Sequence, residues 1–307
     1  MQVLVNPHCA GGRGGRKWQV LAPSLQQRYP GIRCQIIPEE SALQPAVIRA
    51  LHQGERTFIA AGGDGTVNRL LNVLLNAPVD NAELTLGAIG LGSSNDFHKP
   101  FRAAAILQGV PLRIDSAHSY PCDVIQIRCF QDGQMQQTYG IINASIGIAA
   151  RANARYNSRG RLLRAIQQIS VDAAILLSVL RTIATYHNFP CRITQNQNAA
   201  QEYRLTNLGV IKNPHFGGQL CYDTPVACDD GWLTVNLCEG MSRLQTLGIL
   251  GRLYRHHFAG RPHTASWQST RLTVSSARQF DLEIDGEVLQ TSNVEFRVLP
   301  QKIRCCA

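Results

Sequence analysis

The chain lacks several features that would fix its class at once. None of its ten cysteines forms a Cys-x-x-Cys pair, which argues against a zinc ribbon. Its nine histidines show no metal-binding spacing. No Gly-x4-Gly-Lys-Ser/Thr can be drawn through Gly11 to Lys17, so that loop is not a Walker A loop. The longest apolar stretch, around Val171 to Leu180, contains Asp172 and Ser178 and falls short of the roughly 20 residues a bilayer span needs. There is no internal repeat and no extended low-complexity linker. The opening Met1 to Pro7 reads as a short strand and turn, without the basic start and apolar core of a secretory leader. The expected setting is therefore a reducing cytoplasm, with the thiols mostly buried and free. For the tail pair Cys305-Cys306, lipidation or oxidation is weighed against a pair without a role, and the second reading is preferred.

What is present describes a folded globular protein. The 307 residues are enough for two domains, with 44% hydrophobic and 17% charged residues. The net charge of +9 favours acidic partners, whether nucleotides, nucleic acid or anionic lipid.

Gly62-Gly63-Asp64-Gly65-Thr66 is the most informative segment. Phe58 to Ala61 reads as the end of a buried strand. Val67 to Leu75 reads as a helix with Val67, Leu70, Leu71, Leu74 and Leu75 on one face. A strand, a glycine turn and a helix start make an anion site, because unsatisfied N–H groups and the helix dipole point at one spot. Asp64 would repel a phosphate unless a divalent cation bridged the two. Metal-assisted nucleotide chemistry follows as the expectation.

Residues 1–120 alternate strand and helix patterns, with strands expected at 3–5, 32–37, 57–61 and 84–89. Helices are expected at 17–28, 44–52, 66–76 and 100–108. Such alternation predicts an α/β fold, an open, mostly parallel sheet with helices on both faces. Ligands in such sheets sit at the carboxyl ends of strands. The loops at 6–16, 62–66 and 90–97 all follow strands and are expected to converge there. Residues 121–307 read as a mainly β, sandwich-like domain, whose last strand may return to the first. Its strands are expected at 123–130, 138–145, 190–194, 203–210, 233–237, 271–275, 280–284 and 294–299. A helical insertion is expected from Ala152 to about Tyr186, and a further helix near Ser242 to His257. Asp132-Gly133 and Asp230-Gly231 read as turns.

Several further groups could carry chemistry. Arg13, Arg16 and Lys17 lie in the first glycine-rich loop, which is about as consistent with a surface loop as with a phosphate loop. In Gly90-Leu91-Gly92-Ser93-Ser94-Asn95-Asp96-Phe97, the serines can donate to phosphate or ribose, and Asn95 and Asp96 can orient a metal or its waters. The same composition also makes an ordinary turn. Asp285-Gly286-Glu287 is a common turn on its own but offers a carboxylate base for an acceptor hydroxyl. Asp229-Asp230-Gly231 either binds a metal or caps a hairpin. Arg151, Arg155, Arg159, Arg161 and Arg164 are interleaved with Leu162, Leu163, Ile166 and Ile169. That pattern fits contact with anionic lipid headgroups, against a solvated helix face. A second basic segment holds Arg252, Arg255, His256, His257, Arg261 and His263. Nucleic acid is not the expected partner, because aromatic stacking residues are missing from the basic stretch.

Taken in order, Asn6-Pro7, Gly62 to Asn68, Leu91 to Phe97, Cys122-Asp123-Val124, Asn143 to Gly147, Asp230-Gly231 and Asp285-Gly286-Glu287 resemble the diacylglycerol kinase catalytic-domain family, relatives of sphingosine and ceramide kinases. The resemblance spans nearly the whole chain. It implies a two-domain, ATP- and Mg2+-dependent lipid kinase, with peripheral membrane association and its active site between the domains. Gly62, Gly63, Asp64, Gly65, Thr66, Val67 and Asn68 would hold the nucleotide, with Ser93 in place of the family's usual threonine and Asn95 beside it. Asp64, Asp96 and Asp123 would form the carboxylate–water–metal network. Glu287 would take the proton from the acceptor hydroxyl, with Asp285 close behind. A second, structural metal would use Asp230 with the backbone carbonyls of Ala227 and Trp232. The rival readings are a kinase of a soluble acceptor such as NAD or a sugar phosphate, and a non-enzymatic anion- or nucleic-acid-binding protein.

Overall fold

The computed structural model describes residues 1–99, 105–131, 133–157 and 171–307. The chain divides into two compact units. One comprises Met1–Val124, Ala227–Asp230 and Leu299–Ala307, and the other Ile125–Val226 and Gly231–Val298.

The first unit is built on β1 (Gln2–Val5), β2 (Arg33–Ile36), β3 (Thr57–Gly62) and β4 (Thr85–Gly90), in the order β2-β1-β3-β4. All neighbours in that row are parallel, with Val3 beside Cys34 on one side and Ile59 on the other. Phe58, Ile59, Ala60 and Ala61 are all fully buried, as expected of a parallel strand covered on both faces. The connecting helices are α1 (Arg13–Arg28), α2 (Leu43–His52) and α3 (Asp64–Leu75). In α3 the buried residues include Val67, Leu70, Leu71, Leu74 and Leu75, the face its 3.6-residue period predicts. The strand order reverses direction between β1 and β3, and the crevice at such a switch point is where open α/β sheets bind ligands.

Two expectations change in this unit. α1 begins at Arg13, so Gly14 and Gly15 lie inside a helix rather than in a loop. The helix expected over 100–108 is, in its described part, the strand β5 (Ala105–Leu107), paired with β6 (Val110–Arg113). Gln108 and Gly109 both have positive φ, the geometry of a two-residue hairpin turn. The rest of that helix lies outside the described residues.

The second unit is mainly β. β9 (Asn143–Gly147) and β10 (Phe189–Gln195) fill one slot end to end between β11 (Gln201–Ile211) and β16 (Arg271–Ile284). Along one edge β11 pairs β10 over residues 201–205 and β9 over residues 207–211, and its pairing with β14 shifts register between Leu205 and Asn207. Outside β11 lie β14 (Leu233–Glu239) and β15 (Thr264–Ser269), and outside β16 lies β17 (Glu287–Cys305). A short hairpin, β12 (His215–Phe216) with β13 (Leu220–Cys221), stands apart. β7 (Tyr120–Gln131) and β8 (Gln134–Gly140) form a further hairpin. Ile125 and Ile127 share one core with Val210, Val235, Val274 and Phe296, so the sheet curls over on itself. The described helices are α4 (Ile148–Asn157), α5 (Val171–Thr185) and α6 (Arg243–Leu253). α6 starts at a capping box made by Ser242 and Gln245, which satisfies N–H groups at its first turn.

The single strand expected over 138–145 is broken. β8 ends at Gly140 and β9 starts at Asn143, because the intervening amides turn to a side chain described below. The insertion expected over 152–186 contributes α4 and α5. Its Arg159, Arg161, Leu162, Leu163, Arg164, Ile166 and Ile169, like Asp132, lie outside the described residues. Arg151 is paired with Asp281 at 3.0 Å. Arg155 donates to Thr185.

Candidate active site

In the first unit the three strand-end loops do meet. Gly92 and Leu91 both donate their N–H groups to the Gly62 carbonyl, at 3.1 and 2.8 Å. A Cβ on Gly92 would lie 2.4 Å from the Cα of Gly63. That spacing is open only to hydrogen, so the loops after β3 and β4 press backbone on backbone. Asn6, after β1, donates its side-chain amide to Thr66 Oγ1 at 3.1 Å. The Cys9 thiol, from the same first loop, points at the Leu91 carbonyl, and burial raises its pKa to about 11.

No side chain caps α3, whose N-cap is Gly63 in extended conformation. Its first turn therefore presents backbone N–H groups to a phosphate, together with the positive end of the dipole. Gly62, Gly63, Gly65 and Thr66 shape that turn. Val67 is 2% exposed and serves the core, so it contributes to a nucleotide site through its backbone alone. Asn68 is also buried and accepts from the Asn72 side chain.

The third loop is folded by its own residues. Asn95 adopts a left-handed backbone conformation and accepts from Gly92 N–H at 3.0 Å, while its amide donates to the Gly90 carbonyl. Asn95 thus shapes its own loop. Ser93 is exposed beside it. Asp64 Oδ1 accepts from Phe97 N–H at 3.0 Å, which joins Asp64 to the loop holding Asp96. Asp96 is paired with Lys99 at 2.7 Å. Asp123 is 1% exposed and engaged elsewhere in this unit, where its carboxylate accepts from Gln301 N–H and its own N–H donates to Cys228. Among the described residues no three of His, Cys, Asp and Glu gather to hold a metal, so the three aspartates do not form one ligand cluster. Asp64 and Asp96 fit a hard cation that arrives with the phosphates, because magnesium is commonly held by one or two carboxylates plus substrate oxygens.

Two residues behind this loop escape sequence reasoning. Arg113, 3% exposed, donates to the Phe97 carbonyl and lies over the Phe97 ring, 4.8 Å from its centroid. His98 is buried, and burial, reinforced by the Arg113 charge, lowers its pKa from 6.5 to about 3. The folded protein therefore holds His98 neutral, whereas the unfolded chain protonates it below about pH 6.5. This contribution to stability is full above pH 6.5 and is lost as pH falls toward 3. We expect His98→Gln to flatten the pH dependence of chemical denaturation in that window, by up to about 1.4 kcal/mol per pH unit. Equal slopes in the two proteins would refute this.

In the second unit, Asp285 and Gly286 have positive φ and join Ile284 to Glu287 as a two-residue hairpin turn. The Asp285 carboxylate, 2% exposed, accepts three backbone N–H groups. Oδ2 takes Ile141 at 2.8 Å, and Oδ1 takes Ile142 at 3.0 Å and Asn143 at 2.9 Å. These amides lie at the break between β8 and β9. Glu283 accepts from Ser145 and from Gly286 N–H, and Asn153 and Asn157 of α4 donate to the Gly286 carbonyl. Glu287 is exposed at the mouth of this turn. Asp285 is committed to the backbone, whereas Glu287 is exposed. Of the expected structural-metal ligands, the Trp232 carbonyl accepts from the Lys212 ammonium at 2.9 Å.

Comparison with known proteins agrees with this architecture. Residues 1–127 match the diacylglycerol kinase catalytic domain, and residues 143–307 match the YegS C-terminal NAD kinase beta sandwich-like domain. A diacylglycerol kinase of Staphylococcus aureus is 27% identical over 241 residues, covering 78% of this chain and 70% of its own. The probable lipid kinase YegS-like of Shewanella frigidimarina is 20% identical over 281 residues, covering 92% of this chain and 86% of its own. A crystal structure of a diacylglycerol kinase from Bacillus anthracis superposes with a TM-score of 0.65 at 17% identity, over 99% of this chain and 95% of that one. Yeast NADH kinase shares the fold more distantly, with a TM-score of 0.51 at 11% identity, over 100% of this chain and 83% of that one. The class is thus a kinase, a phosphotransferase. Within it, the chain belongs to the diacylglycerol kinase catalytic-domain family, in the form that carries a YegS-type C-terminal domain.

Proposed function

We propose that this kinase transfers the γ-phosphoryl group of ATP to a hydroxyl of a lipid such as diacylglycerol, working at an anionic membrane surface. The observation that carries the lipid reading is a pair of exposed apolar stripes on neighbouring helices of the second unit. α6 buries Thr246, Ile249 and Leu253, yet on its opposite side Leu244 is 81% and Leu247 39% exposed, with Tyr254 at its end 41% exposed. α5, which lies against α6, exposes Leu176, Leu180 and Ala184 at helical spacing. From Gly240 to Gln279 the sequence has no Asp or Glu, while Arg243, Arg252, Arg255 and Arg261 flank the stripe. Apolar side chains ringed by arginine suit shallow insertion among anionic headgroups. Among the described residues no helix is long and apolar enough to cross a membrane.

In this reading the first turn of α3 binds the phosphates. Asp64 and Asp96 would hold Mg2+, which would supply neutralisation of phosphate charge. Glu287 accepts the proton of the attacking hydroxyl, and Asp285 positions it by fixing the turn. Catalysis rests mainly on positioning and charge, as in other phosphoryl transfers.

The test is ATP consumption with Mg2+ on a panel of lipids in anionic vesicles, with NAD and sugar phosphates as soluble controls. Turnover on a lipid, abolished in Asp64→Ala, is the expected result. Leu244→Glu with Leu247→Glu should lower vesicle activity at least about tenfold at unchanged thermal midpoint. Turnover confined to a soluble acceptor would overturn the lipid reading.

A further inference from the structure

The structural cation implied by the family resemblance needs the carbonyl oxygen of Trp232, and the residues present do not fit it. That oxygen accepts from the Lys212 ammonium at 2.9 Å. Lys212 is 2% exposed and among the largest fully buried side chains of the molecule. It is held firmly, since its N–H and that of Asn213 both donate to the Ile142 carbonyl, at 2.9 and 3.0 Å. It follows Ile211, which pairs with Thr234 across the β11–β14 ladder, so its side chain has only to reach the segment entering β14. A divalent ion on the same oxygen would stand within about 5 Å of the ammonium, given ordinary metal–oxygen and hydrogen-bond lengths. Like charges at that range, out of water, repel strongly. A buried ammonium in turn requires oxygen acceptors, and the carbonyl just past the Asp230-Gly231 turn supplies one.

We propose that the Lys212 ammonium takes the place of that structural cation. A covalently tethered positive charge then secures the chain after Asp230-Gly231, and the fold needs no divalent ion there. This inference is independent of the acceptor and of the kinase reaction.

The test uses the full-length protein without nucleotide. Its thermal midpoint is measured after dialysis against EDTA and again with added Mg2+ or Ca2+, and bound metal is counted by elemental analysis. The expected results are a shift below about 1 °C and a bound divalent content near zero. Lys212→Met should lower the midpoint by at least about 5 °C, and Lys212→Ala should acquire a Ca2+-dependent rise that the parent lacks. A cation-dependent rise in midpoint that persists in Asp64→Ala, or Lys212→Met as stable as the parent, would overturn the proposal. A rise in the parent that vanishes in Asp64→Ala comes from the nucleotide site, leaves no cation dependence at Trp232, and supports it. If Lys212→Met fails to fold, the EDTA and elemental measurements on the parent still decide the question.

Discussion

Asp285→Asn is expected to destabilise the protein by about 2–4 kcal/mol, whereas Glu287→Gln should leave stability unchanged and slow turnover by at least about 100-fold. The two residues lie two positions apart, and their surroundings differ: Asp285 is buried and Glu287 is exposed. Both Asp285 oxygens are acceptors, with Ile142 and Asn143 on one and Ile141 on the other. Asparagine keeps one acceptor and sets an NH2 against an N–H. Two donors then face each other in a site that is 2% exposed. The backbone is not the cause of the penalty, because Asn tolerates positive φ as well as Asp does. Glu287 is exposed, and glutamine keeps its length and one acceptor oxygen. Urea denaturation and initial rates on the same two variants check this. A stable, inactive Asp285→Asn beside a fully active Glu287→Gln would reverse the assignment.

Gly92→Ala is the second large effect. The added methyl group would lie 2.4 Å from Gly63 Cα, a contact with backbone that no rotamer change relieves. One of the two loops must move, and overpacking of this kind costs about 1–3 kcal/mol. A displacement near 1 Å at a phosphate-positioning turn can cost about 100-fold in kcat/KM. Gly248→Ala is the control, since its Cβ meets nothing within 4 Å and it lies in α6, where alanine is the better helix former. If Gly92→Ala behaved like Gly248→Ala in denaturation and in rate, the close approach of the two loops would not matter.

Much of the first unit was legible because its signals are local. Continuous apolar strands, one-sided helices and glycine turns each announce themselves within a dozen residues, and the convergence of the loops follows from the general rule for such sheets. What escaped depends on contacts distant in sequence. The break between β8 and β9 is made by a carboxylate 142 to 144 residues away, and no period in Thr138 to Ser145 signals it. β15 was missed because Thr264–Ser269 is a largely exposed edge strand paired only with β14, so it lacks apolar alternation. The part of Asn95 in folding its own loop was hidden because an amide that folds its loop and one that faces a ligand have the same sequence. The taking of the Trp232 carbonyl by Lys212 was hidden for the same reason, since nothing in residues 227–232 hints at a lysine from β11's end.

The tail has a consequence for how the chain is made. Arg304 and Cys305 pair with Thr85 and Leu86 of β4, and Cys306 lies in one core with Val3, Ile59 and Leu112. Both tail cysteines are sealed away from solvent. Domains ordinarily fold in the order in which they leave the ribosome. Here the α/β unit cannot close its sheet until residues 304–306 have emerged. The β-rich unit takes all its strands from residues before 299 and can complete its core earlier. Of the two units, the α/β unit is thus the one finished later, and a polypeptide broken off before residue 304 would carry every motif in its correct order without the strand end that pairs with β4.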